Sequence, residues 1–166
     1  MPRSVVGFGT QEHLLVSRIP LPRPATRLLL TTKSILVDDS TVLYDGVILT
    51  GRLRVGCLVP LAADPHPVEQ VDTEQTFTLF LPVPGAAPEM DVRLLAAHVA
   101  GGETTAAQQN AAGEIVALLD RSLLHLSVIV TTPTPDVTPA PLRWRRRAER
   151  TTPAPSLQAS ACRFRG

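Results

Sequence analysis

The sequence predicts an all-β protein: an antiparallel β-sandwich or open barrel of about seven to eight strands, with a Pro/Arg-rich C-terminal tail. Three observations carry that expectation. From Val47 to Val59 the alternate positions Val47, Leu49, Gly51, Leu53, Val55, Cys57 and Val59 are apolar or small, and Thr50, Arg52 and Arg54 lie between them. A period of two is that of a strand with one buried and one wet face. Thr76 to Val83 repeats it, with Phe77, Leu79, Leu81 and Val83 on one side. Beside these runs stand Asp45-Gly46 and Pro84-Gly85. Such pairs reverse a chain because glycine reaches conformations closed to other residues and proline holds φ near a turn value.

Taken in order, residues 1–10 read as a lead-in. Gly7-Phe8-Gly9 lacks the preceding strand and the third glycine of a dinucleotide-binding turn. Gln11 to Ile19 is a first strand, stopped by Pro20, Pro22 and Pro24, which cannot donate to a ladder. Thr26 to Val37 is the second, its β-branched residues favouring strand over helix. Asp38-Asp39-Ser40 reads as a polar break, and Thr41 to Tyr44 leads into the next reversal. Asp45-Gly46 suits a type I′ hairpin turn, which needs φ > 0 at both central residues, or a bulge inside a long paired edge. After Val59 a Pro/Ala/His loop precedes Pro67 to Gln75, the acidic start of a strand on an exposed edge.

Asp91 to Val99 resumes as a strand with Val92, Leu94, Ala96 and His98 facing one way. Gly101 to Gly113 is small, polar and glycine-bounded, and reads as a flexible hairpin loop; a helical turn over Ala106 to Ala112 has no apolar stripe to bury. Glu114 to Leu119 and Leu123 to Thr131 are the last strands, with Leu124, Leu126, Val128 and Val130 inward. The β-domain therefore spans 11–131. Residues 132–166 are proline-rich and basic, too poor in apolar surface to offset chain entropy, and read as an extended or disordered tail.

The 166 residues suffice for one domain and a tail, and with only 4% aromatics the core must be built from Leu, Val, Ile and Ala. The net charge of +1 hides an asymmetry. The tail holds seven arginines against Asp136 and Glu149, a balance of +5, which leaves −4 for residues 1–131. Lys33 is the single lysine beside fifteen arginines, which reads as coding bias rather than function. Cys57 and Cys162 match no metal or redox spacing. Cys57 falls on the apolar face of a strand and reads as a small buried thiol. No disulfide framework is implied, and a reducing compartment is expected. The N-terminal residues show no apolar segment with a small-residue cleavage site, so no signal peptide is expected. No apolar run approaches the about 18–20 residues of a membrane span.

Candidate chemistry is sparse. His13, His66, His98 and His125 show no zinc-type spacing, although His98 pointing inward and His125 outward would be neighbours across a sheet. There is no G-x-S-x-G, and Cys57 is flanked by apolar residues that raise a thiol's pKa. The acidic groups Asp38 and Asp39, and Glu69, Asp72 and Glu74, read as solvated strand edges that discourage unwanted pairing. The sharpest local signal is Arg143-Trp144-Arg145-Arg146-Arg147, arginines around an aromatic. That cluster suits phosphates and a stacked base, an acidic protein surface such as the −4 globule of another copy, or plain solvation. No catalytic, cofactor-binding or metal-binding residue is assigned.

Two segments carry a family resemblance: Val42-Leu43-Tyr44-Asp45-Gly46-Val47-Ile48-Leu49-Thr50-Gly51, and, after Phe77, Pro84-Gly85-Ala86-Ala87-Pro88-Glu89-Met90-Asp91-Val92. In order and spacing they resemble the SPOCS domain of endospore-forming bacteria, and Ile19 to Ala25 resembles the proline-containing lead-in of its short, single-domain members. The resemblance covers about residues 11–131 and none of the tail. Glu89 departs from it, standing where many members have a second glycine. The loop 101–113 also looks longer and more polar than in members. It implies a non-enzymatic role in spore envelope assembly. Longer members join SPOCS modules to a peptidoglycan-binding LysM domain, to which nothing here is similar. The expectation is a structural module acting through protein–protein contacts with spore envelope proteins or itself, in the mother cell or the envelope. It has no cofactor and no small-molecule substrate. The alternative is a nucleic-acid or anionic-polymer binder working through the tail.

Overall fold

The computed structural model describes residues 3–63 and 65–133. Six strands, β1 (Val5–Ala25), β2 (Leu30–Leu43), β3 (Gly46–Pro60), β4 (Val68–Pro82), β5 (Asp91–Gln109) and β6 (Ile115–Thr131), make two antiparallel three-stranded sheets, ordered β1-β6-β5 and β2-β3-β4. β1 lies beside β4 and β5 beside β2, so the sheets stack as a sandwich with open edges rather than a closed barrel.

The alternation in β3 is borne out: Val47, Leu49, Leu53, Val55, Cys57 and Val59 are all buried. So are Phe77, Leu79 and Leu81 of β4 with Val83 after it, and Leu124, Leu126, Val128 and Val130 of β6. These inner faces meet in one aliphatic core in which Phe77 is the only aromatic side chain among the described residues.

Six long strands replace the seven to eight shorter ones expected, and each merger has a local cause. β1 starts at Val5, inside the presumed lead-in, and runs past Pro20. β1 is an edge strand paired only with β6, where a missing N–H on the outer side costs no ladder bond. The polar break at 38–40 is a β-bulge between Val37 and Asp39 within β2. Residues 101–109 are strand, not loop: β5 pairs with β6 as far as Gln109, and the reversal is confined to Asn110–Gly113. β6 continues through Asp120–Ser122, where the expectation divided it in two. At 38–40, 101–109 and 120–122 polar composition suggests a break or a loop, whereas pairing decides strand.

Bulges also shift faces. Between Leu94 and Ala96 the register slips by one, so Val92, Ala97 and Val99 pack on the core while Leu94 and Leu95 are exposed. His98 accordingly faces outward, not inward. A one-residue slip moves every later side chain to the opposite face.

Candidate functional site

The two turn pairs singled out in the sequence touch each other, forty residues apart. Leu43 pairs with Gly46, so the central residues of the hairpin are Tyr44 and Asp45, not Asp45 and Gly46. Of the two only Asp45 takes a positive φ, 58°, so this is not the type I′ turn expected. A short polar side chain tolerates that conformation best after glycine. Asp45 is then used three times. Its carboxylate Oδ1 accepts from the Gly85 amide at 2.8 Å. Its own amide donates to the Ala86 carbonyl and its carbonyl accepts from the Val83 amide, both at 2.9 Å. The partner turn is closed by the Ala86 amide donating to the Val83 carbonyl at 3.0 Å, with Pro84 and Gly85 (φ 85°) at its centre, the pattern of a type II turn. Gly46 lies under the Phe80 ring, where a Cβ would come within 2.2 Å of it. Asp45, Gly46, Pro84 and Gly85 thus form one junction that pins the β2–β3 hairpin to the end of β4.

Between the two sheets lies a second polar cluster, joining β2, β5 and β6. Asp120 of β6 is fully buried, and Lys33 of β2, its side chain 14% exposed, reaches across from the other sheet to place Nζ 2.7 Å from Asp120 Oδ1. Thr104 Oγ1 donates to Oδ1 at 2.7 Å and Ser122 Oγ to Oδ2 at 2.6 Å. Lys33 Nζ also donates to the Arg121 carbonyl at 3.3 Å. A buried ion pair survives only when its remaining valences are met in this way. Cys57 shares the neighbourhood; burial pushes its thiol up, with a weaker opposing hydrogen bond involving Thr31. That keeps it a protonated core residue rather than a nucleophile.

This cluster escaped the sequence reading, although a signal was present. Leu118, Asp120, Ser122 and Leu124 continue one alternating face, and a carboxylate on a buried face demands a cation. Splitting the strand at 120–122 hid it.

On the outer face of β2-β3-β4, Arg52 makes a two-pronged contact with Asp38, Nε to Oδ2 at 2.9 Å and Nη2 to Oδ1 at 2.7 Å, and reaches Glu74 at 3.2 Å. Arg54 Nε donates to the other Glu74 oxygen at 2.7 Å. Asp38 and Glu74 are therefore neutralised in a cross-strand network, not merely solvated as expected. Hydrogen bonds from Arg52 hold the Asp38 carboxyl below its ordinary range, and those from Arg54 and then Arg52 do the same for Glu74. A carboxyl with a lowered folded pKa contributes stability that is complete above its unfolded value, about 4, and is lost as pH falls through the folded value. Urea denaturation from pH 5 downward should show a decline that begins near pH 4, and Arg52→Gln should flatten it. An identical slope in the variant would mean that these surface pairs contribute nothing.

Residues 24–97 match the family model described as SipL, SPOCS domain. That segment is similar to a SPOCS domain. No curated protein and no solved structure gave a match. The matched segment takes in β2, β3, β4, the start of β5 and the whole turn junction. It includes Lys33, whereas Asp120 and the rest of β6 lie beyond it. The family points to a role connected with sporulation.

On the other sheet, His98 and His125 are directly paired, ring centroids 5.0 Å apart, so the expected neighbours are neighbours. Glu12 Oε1 lies 3.7 Å from His125 Nδ1 on the far side. Among the described residues no group of three His, Cys, Asp or Glu is placed to hold a metal ion. No helix among them is long and apolar enough to cross a membrane. Arg143, Trp144, Arg145, Arg146 and Arg147 lie outside the described residues.

Proposed function

We propose that the chain is a non-enzymatic assembly module of the spore envelope, working through protein–protein contacts that include contacts with other copies of itself. The SPOCS family supports the sporulation context. The observation that carries the rest is the open sandwich: four of the six strands are edges, each with one unpaired side. Unpaired strand sides are templates for further strands, and all-β modules associate by adding them. The outer face of β1 adds exposed apolar side chains at Phe8, Leu14 and Val16. The polar chemistry inside the domain is consumed by structure, the Lys33–Asp120 pair by its own hydrogen bonds and the Asp45 carboxylate by the turn junction.

Multi-angle light scattering of the full chain over a hundredfold concentration range is the direct test. A mass that rises above the monomer with concentration is expected. A monomer at every concentration, with no retention of spore envelope proteins on the immobilised chain, would count decisively against this reading.

A further inference from the structure

The register slip between Leu94 and Ala96 turns His98 outward and sets it directly opposite His125. Glu12 of β1 pairs with His125 from the other side, so Glu12, His125 and His98 form one row across the outer face of the β1-β6-β5 sheet. The two imidazoles are in ring contact, centroids 5.0 Å apart and planes inclined at 38°. Directly opposed side chains on a paired ladder are held close by the backbone. The rings therefore come together before any ligand arrives, and little freedom remains to be lost when one binds.

Glu12 makes the row more than two adjacent histidines. Its Oε1 lies 3.7 Å from His125 Nδ1. A carboxylate on that side favours the proton at Nδ1 and leaves Nε2 with the lone pair, the arrangement that orients a histidine toward a metal and raises its basicity. The neighbouring rows bring no cation: Thr10, Ser127 and Ala96 stand on one side, Leu14, Leu123 and Gly101 on the other. The arginines paired within β5 and β6, Arg93 and Arg121, are two rows away, and Arg121 is engaged by Glu103. Nothing lies within 4 Å of a Cβ built on Gly101, so the next position on β5 leaves open space beside the row. Both rings are half-buried, which keeps a ligand on them within reach of water.

We propose that His98 and His125 chelate one divalent first-row transition ion, with Glu12 orienting His125 and water completing the coordination. Imidazole suits Zn2+, Ni2+ and Cu2+, and Cu2+ binds tightest in the general order of these ions. The chain supplies two ligands rather than three or four, so this is an exchangeable surface site that ties β5 to β6, not a closed structural centre. It goes beyond the assembly reading and does not depend on it.

Calorimetric titration of the full chain with Zn2+ and, separately, with Cu2+ tests the site. One ion per chain should bind, more tightly for Cu2+, and the melting temperature should climb with free metal, since an ion that binds only the folded state stabilises it. Zn2+ should shift the ring resonances of His98 and His125 and leave those of His13 and His66 in place. His98→Asn and His125→Asn should each abolish saturable binding while melting close to the parent without metal. Glu12→Gln should weaken binding by about tenfold with the stoichiometry kept. His66→Asn and Cys162→Ser should bind as the parent does. No saturation below about 1 mM of either ion, or binding that survives both histidine changes, would overturn the inference, and an unchanged affinity in Glu12→Gln would overturn the role given to Glu12.

Discussion

Lys33→Met will be among the most damaging single changes in the protein. It removes the cation from Asp120 and leaves a fully buried carboxylate held only by the Thr104 and Ser122 hydroxyls. Removing one partner of such a pair costs about 3–5 kcal/mol, because an uncompensated charge stays in a low-dielectric interior. For a domain of this size that corresponds to a fall in Tm on the order of 10 °C. Lys33→Met combined with Asp120→Asn should cost less than Lys33→Met alone, since the stranded charge goes with its partner. Calorimetry or urea titration of the two single variants and the double variant checks this. A Lys33→Met variant within about 0.5 kcal/mol of the parent would show that the ammonium does not hold the two sheets.

Gly102→Ala should be nearly as costly, while Gly101→Ala one residue earlier should be close to neutral. Gly102 takes φ 133°, and a Cβ there would lie 2.0 Å from the Arg121 carbonyl oxygen, a backbone atom that cannot swing aside. Gly101 has an ordinary φ and nothing within 4 Å of a built Cβ. The first change combines a disfavoured backbone with a clash in the β5–β6 ladder, for a loss of about 2–4 kcal/mol. The second removes chain entropy from the unfolded state and should fall within about 1 kcal/mol of the parent. Equal stabilities for the two variants would refute the steric account. Because Gly102 pairs with Ser122, the strain also reaches the hydroxyl that holds Asp120.

This pair of glycines shows where the sequence was legible and where it was not. Val47 to Val59 announced a half-buried strand because a single apolar face shows in composition alone, and all of its core positions are where alternation puts them. Gly101 to Gln109 did not, since a strand held by backbone pairing and exposed side chains leaves no apolar signature. The reversals near 45 and 85 could be read individually, because each depends on its own backbone, although the first is centred on Tyr44 and Asp45 rather than on Asp45 and Gly46. Their contact through the Asp45 carboxylate could not, because it joins residues that come together only after β3 and β4 have paired. Lys33 is the sharpest case: read as a trace of coding bias, it is the cation that a buried aspartate in the opposite sheet requires.

By itself, then, the sequence determined an all-β chain, the inner faces of β3, β4 and β6, the reversals near 45 and 85, and the likeness to the SPOCS family. Those properties depend on neighbours a few residues away and on the period of hydrophobic positions. Only the tertiary structure decided that there are six strands in two sheets, that β5 slips register at Leu94–Ala96, and that Lys33 meets Asp120. Each depends on which strand lies beside which, and that pairing is set by long-range packing of whole faces rather than by any local run of residues.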